Sequence, residues 1–217
     1  MILHLSDQLK IPLRERNVLL VAGGYAPVFP ERSLDAPVLE TARKAVDLVL
    51  TGHEPYPALA VDRHWNLIAA NRAIPRLIAS ADASLLRPPV NVLRLSLHPA
   101  GLAPQIANLS EWSAHLLERL GKQIELTADQ SLVDLMRELK SYPGARQAER
   151  GCTPEIRDYA GVVVPLELNI EGRLLALFST TTVFGTPVDI TLSELALESF
   201  FPADAATADI LRDLSER

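Results

Sequence analysis

Four residues able to hold the polar head of a small molecule lie in the middle of the chain. Arg94 and His98 are four residues apart, and so are Asn108 and Trp112, which puts each pair on one face of a helix. Guanidinium, imidazole, amide and indole N–H groups all bond to carboxylates or hydroxyls. The alternative is structural: Arg94 pairs with a surface carboxylate, His98 bonds to backbone near Pro99, and Trp112 belongs to the core.

Two further polar positions are candidates. Asn71 ends a predicted hairpin, where it is either a helix N-cap or a donor to a pocket. The threonines at 180–182 stand between Phe178 and Phe184 in a predicted strand, so at least one hydroxyl points inward among apolar neighbours and needs a partner. That partner is either a group across the sheet or a ligand.

Motifs for covalent or metal chemistry do not occur in the sequence. It has no GxSxG or SxxK motif, and its five histidines lack HxH or HExxH spacing. Cys152 is the one cysteine, which excludes an internal disulfide. Glu194 and Glu198 are four residues apart, and we interpret them as a solvated face. We therefore expect no catalytic residue, no metal and no cofactor.

Composition limits the compartment and the partners. With 48% hydrophobic and 22% charged residues, the 217-residue chain is typical of a folded globular domain. A net charge of −6 has the wrong sign for binding nucleic acid by phosphate neutralisation. The chain shows neither a signal peptide nor an apolar run of about 20 residues. We expect a cytoplasmic protein that does not bind membranes.

The spacing of the apolar residues changes along the chain, and this spacing predicts the elements that position the candidate residues. Apolar runs at 58–61 and 67–70 flank a polar turn and predict a hairpin, and a second hairpin is predicted around Glu171-Gly172. A helical stripe contains Leu116 and spans Ile106 to Leu120. Alternation after residue 194 predicts a last strand, with a helix over 193–200 as the alternative.

Strands joined by hairpins and separated by helices predict the α+β class. We expect a five-stranded antiparallel sheet with helices over one face, and a concave interior suited to a small molecule. Residues 1–30 are predicted to form two short helices and a proline-rich linker, and residues 31–217 the main domain.

Three long runs carry a resemblance to a known family. HEPYPALAVDRHWNLIAANRA (53–73), NVLRLSLHPAGLAPQIANLSEWSAHLLERL (91–120) and FSTTTVFGTPVDITLSELALESFFPADAATADILR (178–212) resemble the ligand-binding domain of MmyB-like transcription regulators, which are bacterial helix-turn-helix regulators of the Xre type. The resemblance covers nearly all of residues 25–214. It implies a PAS-like sensor domain with an enclosed hydrophobic pocket for fatty acids or other apolar small molecules.

The candidate ligand-binding residues are Asn71, Arg94, His98, Asn108, Trp112, Leu116, Phe178, Thr181 and Phe184.

The N-terminus departs from the family pattern. Residues 2–10 and 11–32 resemble only the last two helices and the exit linker of the DNA-binding domain. We therefore expect a homodimeric sensor module that lacks most of its helix-turn-helix domain and contacts DNA only in a longer form. Two alternatives stay open: an enzyme acting on acyl or other apolar substrates in the same cavity, and a ligand-free dimerisation scaffold.

Overall fold

The computed structural model describes residues 1–148 and 164–216, so Cys152 lies outside the described residues. The helices are α1 (Ile2–Gln8), α2 (Leu13–Ala22), α3 (Glu40–Gly52), α4 (Ala73–Leu77), α5 (Val92–Leu97), α6 (Leu109–Thr127), α7 (Gln130–Ser141), α8 (Pro143–Ala148), α9 (Ile190–Ser193) and α10 (Ala205–Glu216). The strands are β1 (Ala58–Val61), β2 (Leu67–Ala70), β3 (Leu166–Ile170), β4 (Arg173–Val183) and β5 (Ala196–Pro202). No helix within the described residues is both long and apolar enough to span a membrane.

The five strands form one antiparallel sheet in the order β2-β1-β5-β4-β3. The last strand in sequence, β5, therefore lies in the centre of the sheet between β1 and β4. The alternative of a helix over 193–200 is wrong, because α9 ends at Ser193 and β5 begins at Ala196. The prediction of an α+β domain with a five-stranded antiparallel sheet is confirmed.

Both predicted hairpins are present, and local chemistry explains their turns. In the β1–β2 turn, the Asp62 carboxylate accepts hydrogen bonds from the backbone N–H groups of His64 and Asn66, both at 2.8 Å. In the β3–β4 turn, Glu171 and Gly172 have φ of +54° and +77°. A two-residue turn of this kind needs positive φ at both positions, and glycine adopts that conformation without strain.

The main core lies between one face of the sheet and helices α4 to α7. It is built from fully buried leucines, including Leu120 and Leu139 of the helices and Leu175 and Leu177 of β4. Helix α3 covers the opposite face, where its Val46 and Leu50 form a smaller cluster with alanines of β1, with Leu197 of β5 and with Leu195 just before β5. Because β1 and β5 are covered on both faces, each strand has buried side chains on both faces of the sheet.

The N-terminal helices are tied to the rest of the chain by polar contacts. The Asn17 side chain donates to the Phe29 carbonyl at 2.7 Å and accepts from the N–H groups of residues 28 and 29. The N–H of Ile190 donates to the Pro30 carbonyl at 2.9 Å. Helix α2 also contacts α9 directly. The linker therefore runs along the segment that leads into β5.

A candidate ligand cavity between helix α6 and the sheet

A cavity of about 100 Å³ lies between the helical layer and the sheet. Its apolar walls come from strands β1, β2, β3, β4 and β5, from helices α4, α5 and α6, and from the segments joining them; they include Leu59, Trp65, Leu67, Ile74, Leu77, Val92, Leu93, Leu95, Leu102, Trp112, Leu116, Leu166, Leu168, Leu177 and Phe200. The polar side chains of the described lining are Ser96, Arg119, Ser179 and Glu198. The cavity is therefore an apolar space with a small set of polar groups.

Helical and strand periodicity explain why these residues face the cavity. On α6, Trp112, Leu116 and Arg119 are separated by four and three residues and share one face. On β5, Glu198 and Phe200 line the cavity, while Leu197, which precedes Glu198, belongs to the smaller cluster below α3. A charged residue therefore enters the cavity from each of these two elements.

Arg119 and Glu198 meet at one edge of the cavity. An Nη atom of Arg119 donates a hydrogen bond to the Glu198 carboxylate and another to the Thr181 hydroxyl at 2.7 Å. The same hydroxyl donates to Glu198 at 3.0 Å. Glu198 is 4% exposed, whereas the Arg119 side chain is 29% exposed and Thr181 is exposed. This cluster therefore joins the buried interior to solvent.

The strand register fixes the carboxylate at this place. Glu198 of β5 lies opposite Leu59 of β1 on one side and Thr181 of β4 on the other. The Arg119 guanidinium lies over the Trp65 ring, 4.8 Å from its centroid, in a cation–π contact. Strands β4 and β5 and helix α6 are thus connected through one polar cluster.

Both tryptophans at the cavity have satisfied indole nitrogens. Trp112 donates to the Ser96 hydroxyl at 3.0 Å, and Trp65 donates to the Gln123 side chain at 2.8 Å. His115 packs on Trp112 with a centroid distance of 5.5 Å. Burial lowers the pKa of His115, and the nearby charge of Arg119 lowers this pKa further.

The structure brings three of the predicted site residues to this place. Trp112 and Leu116 line the cavity. Thr181 contacts the lining residues Arg119 and Glu198, so the inward hydroxyl of the threonine triplet has its partners across the sheet and on α6.

The two predicted phenylalanines do not line the cavity. Phe178 stacks on Phe201 with a centroid distance of 5.3 Å. Phe184 packs against the smaller cluster below α3. The neighbours of Phe178 in β4, Leu177 and Ser179, line the cavity instead, because successive side chains of a strand point to opposite faces.

Arg94 and His98 also lie outside the cavity lining. Arg94 binds Glu138 of α7 through two hydrogen bonds of 2.6 and 2.8 Å. These bonds from Arg94 lower the pKa of Glu138, although burial opposes the shift. His98 Nδ1 accepts from the Ala100 N–H at 3.0 Å, and its ring meets Tyr142 edge-on. Ligand binding by these two residues stays a prediction that their placement does not favour.

The two predicted asparagines connect backbone segments. Asn71 is 5% exposed; it donates to the carbonyls of Leu50 and Tyr56 and accepts from the Ala58 and Ala73 N–H groups. Asn108 donates to a carbonyl at residue 165 and accepts from the N–H of residue 167, which joins the start of α6 to β3. Neither side chain lines the cavity, so their role as ligand donors also stays a prediction.

The sequence analysis missed the two charged residues of the cavity. The interpretation of Glu198 as part of a solvated face is wrong, because this residue is buried in the central strand. Arg119 carried a usable signal: it follows Leu116 by three residues and Trp112 by seven, which puts it on the same helical stripe. Within residues 1–148 and 164–216, no three His, Cys, Asp or Glu side chains are grouped to hold a metal ion.

Comparison with known proteins places these observations in a family. The family model described as "MmyB-like transcription regulator ligand binding domain" matches residues 42–214. No curated protein matches the chain. Among solved structures, the PAS domain of BvgS from Bordetella pertussis is similar at 11% sequence identity and a TM-score of 0.31, and the alignment covers 82% of this chain and 96% of that one.

Proposed function

The chain belongs to the MmyB-like transcription regulator ligand binding domain family, and on that premise we propose that it senses an apolar, fatty-acid-like small molecule. The ligand binds in the cavity between α6 and the sheet. The observation that carries this proposal is the lining, which is apolar except for Ser96, Ser179 and a charged cluster at the solvent-facing edge. Such a site suits a molecule with an alkyl body and one polar end.

Burial of the alkyl body supplies the affinity. Each methylene moved from water into the cavity contributes about 0.8 kcal/mol. Association and ordering consume part of this gain. A body of about ten methylenes would leave several kcal/mol, which is sufficient for the ligand to stay bound during purification.

The size of the cavity sets a condition on binding. At about 100 Å³ it is smaller than the roughly 150 Å³ engineered cavity that holds benzene. An alkyl chain therefore enters only when lining side chains move apart. The ligand stabilises the wider arrangement because it has a higher affinity for that arrangement than for the narrow one.

The N-terminal helices α1 and α2 respond to this widening of the cavity. Glu194 precedes β5 and binds Arg14 of α2 with two hydrogen bonds of 2.7 and 3.0 Å. Four residues later, Glu198 of the same segment lines the cavity. We propose that residues 1–30 form a separate unit that responds to movement of β5, and that residues 31–217 form the sensor.

The remaining parts of the proposal concern partners and chemistry. We propose a cytoplasmic homodimer in which DNA contact belongs to a helix-turn-helix domain and not to residues 31–217. We propose binding without catalysis, because no histidine among the described residues is hydrogen-bonded to Ser96 or Ser179, the two serine hydroxyls of the lining. Such a pairing would be needed to activate a serine nucleophile.

A second candidate function is a ligand-free dimerisation scaffold. Apolar side chains are exposed on the N-terminal helices, where Leu5, Leu9, Val18 and Val21 are each more than half exposed. An apolar surface of this kind is typical of an interface. If this candidate is correct, the chain dimerises through α1 and α2 and binds no apolar molecule.

Calorimetric titration with decanoate and 1-decanol tests the sensor proposal. Ser179→Ile adds apolar atoms from β4 into the cavity and is expected to weaken binding of both probes at least tenfold. The matched control is Thr180→Ile, an exposed neighbour on the other face of β4, which should leave both affinities within about twofold of the wild type. Equal binding by all three proteins, or binding by none, would refute the proposed site.

A further inference from the structure

We infer that Arg119 binds the anionic head group of the ligand, in exchange for the carboxylate of Glu198. This inference rests on the proposed function and adds to it the residue that binds the carboxylate end of the alkyl chain and the side chain that competes with it. The head group lies at the solvent-facing edge of the cavity, and the chain lies among the leucines behind it.

The placement of Arg119 meets the requirements of an anchor. It is the one cation among the described residues that line the cavity. One of its Nη atoms is bonded to Glu198 and Thr181, while Nε and the other Nη have no hydrogen-bond partner among the described residues. The guanidinium also packs on the face of the Trp65 ring. The ligand carboxylate can therefore bind to these N–H groups of Arg119 before the Glu198 carboxylate leaves.

Stability alone does not account for the Arg119–Glu198 pair. Glu198 is 4% exposed and lies in the central strand, among the leucines of the cavity. Moving a carboxylate into such surroundings is costly, and apolar residues of similar volume are often at least as stabilising as a buried ion pair. The Glu198 carboxylate, bound to a guanidinium inside an apolar cavity, therefore occupies the position that the carboxylate of the proposed ligand would take.

The exchange also explains how the cavity widens. Arg119 belongs to α6, whereas Glu198 and Thr181 belong to β5 and β4, so the cluster connects the helix to the sheet across the cavity edge. When a ligand carboxylate takes the guanidinium, this connection is broken. Helix α6 is then released from the sheet on the side where the alkyl chain enters, and β5 loses a contact four residues after Glu194.

The experiment compares decanoate with methyl decanoate, which has the same chain without the charge. In calorimetric titrations, Glu198→Gln removes the competing charge and is expected to raise the affinity for decanoate about tenfold, because the charge-assisted bond to Arg119 no longer has a rival. Arg119→Met is expected to lower it at least tenfold. Neither variant should bind methyl decanoate more weakly than the wild type, because the ester forms no charge-assisted bond with Arg119 and both variants weaken the connection between α6 and the sheet. Arg94→Met, which removes a guanidinium outside the cavity, should change neither affinity.

The outcomes separate this inference from the proposed function. If Glu198→Gln does not fold, Glu198→Asp shortens the side chain and should change decanoate binding in the same direction. Acid and ester affinities that change together in every variant, or a loss of decanoate binding in Arg94→Met, would overturn the exchange and leave the sensor proposal standing. If the wild type binds neither acid nor ester, the proposed function fails as well.

Discussion

Trp65 and Trp112, the two tryptophans of the chain, line the same cavity. Trp65 lies in the β1–β2 turn and Trp112 lies on α6, so they belong to the two layers that must separate when an alkyl chain enters. Decanoate is therefore expected to change the intrinsic fluorescence at the concentrations where calorimetry detects binding. Trp65→Phe and Trp112→Phe should each retain part of the response. If one of these variants loses the whole fluorescence response to decanoate and the other keeps all of it, the result would contradict widening between the two layers.

Asn71 is expected to stabilise the fold rather than bind the ligand. Its side chain satisfies the Leu50 and Tyr56 carbonyls and the Ala58 N–H, all away from the cavity. Asn71→Ala leaves several of these groups without partners, and we expect a loss of about 3 kcal/mol in the free energy of unfolding, measured in urea. Asn169→Ala on the exposed side of β3 is the control and should change it by less than about 0.5 kcal/mol. A stable Asn71→Ala protein with weakened decanoate binding would restore Asn71 as a ligand donor.

The pair of Arg94 and Glu138 predicts a dependence of stability on acid pH. Hydrogen bonds from Arg94 lower the pKa of Glu138 in the folded state, while burial opposes the shift. A lowered pKa means that the folded state binds this proton less readily than the unfolded state does. The stabilisation is therefore present above the ordinary glutamate pKa and is lost as the pH falls through the lowered one.

Glu138→Gln checks this dependence by denaturation between about pH 7 and pH 3. Both side chains are more than a third exposed, so we expect a difference of about 1 kcal/mol or less at neutral pH, narrowing as the pH falls below about 4. Asp134→Asn, which breaks the exposed pair with Arg137, is the control and should change little. A difference that grows towards acid pH would show that the pair does not contribute in this way.

Periodicity and turn chemistry predicted the helices and strands that form the site. They did not predict the contacts between residues far apart in the sequence that complete it. The α6 stripe gave Trp112 and Leu116, because helical spacing is a local property. Glu198 was assigned to the surface because only the pairing of β5 between β1 and β4 buries it. Arg94 was assigned to a ligand because its partner, Glu138, is 44 residues away in the sequence. A single sequence does not reveal which distant elements become neighbours.

The contact between Arg14 and Glu194 predicts how firmly α2 is held. Hydrogen bonds to Glu194, and then to Glu31, raise the pKa of Arg14 above its ordinary value, so this guanidinium stays charged. Glu194→Gln is expected to speed amide hydrogen exchange throughout α2 by a few-fold, because local opening becomes less costly. Asp209→Asn, which breaks an exposed pair on α10, is the control and should leave α2 exchange unchanged. Equal exchange in both variants would remove Glu194 from the proposed route to the N-terminal helices.

The most direct test of ligand binding is the mass of the folded protein compared with that of the denatured chain. Protein purified without detergent and incubated with decanoate is measured under native and denaturing conditions, alongside Ser179→Ile with its filled cavity. The account predicts that the native mass exceeds the denatured mass by one bound apolar acid, retained from the cell or taken up from solution. Ser179→Ile should carry far less of it. A folded wild-type protein whose native and denatured masses agree after incubation would contradict the central claim that this cavity holds a ligand.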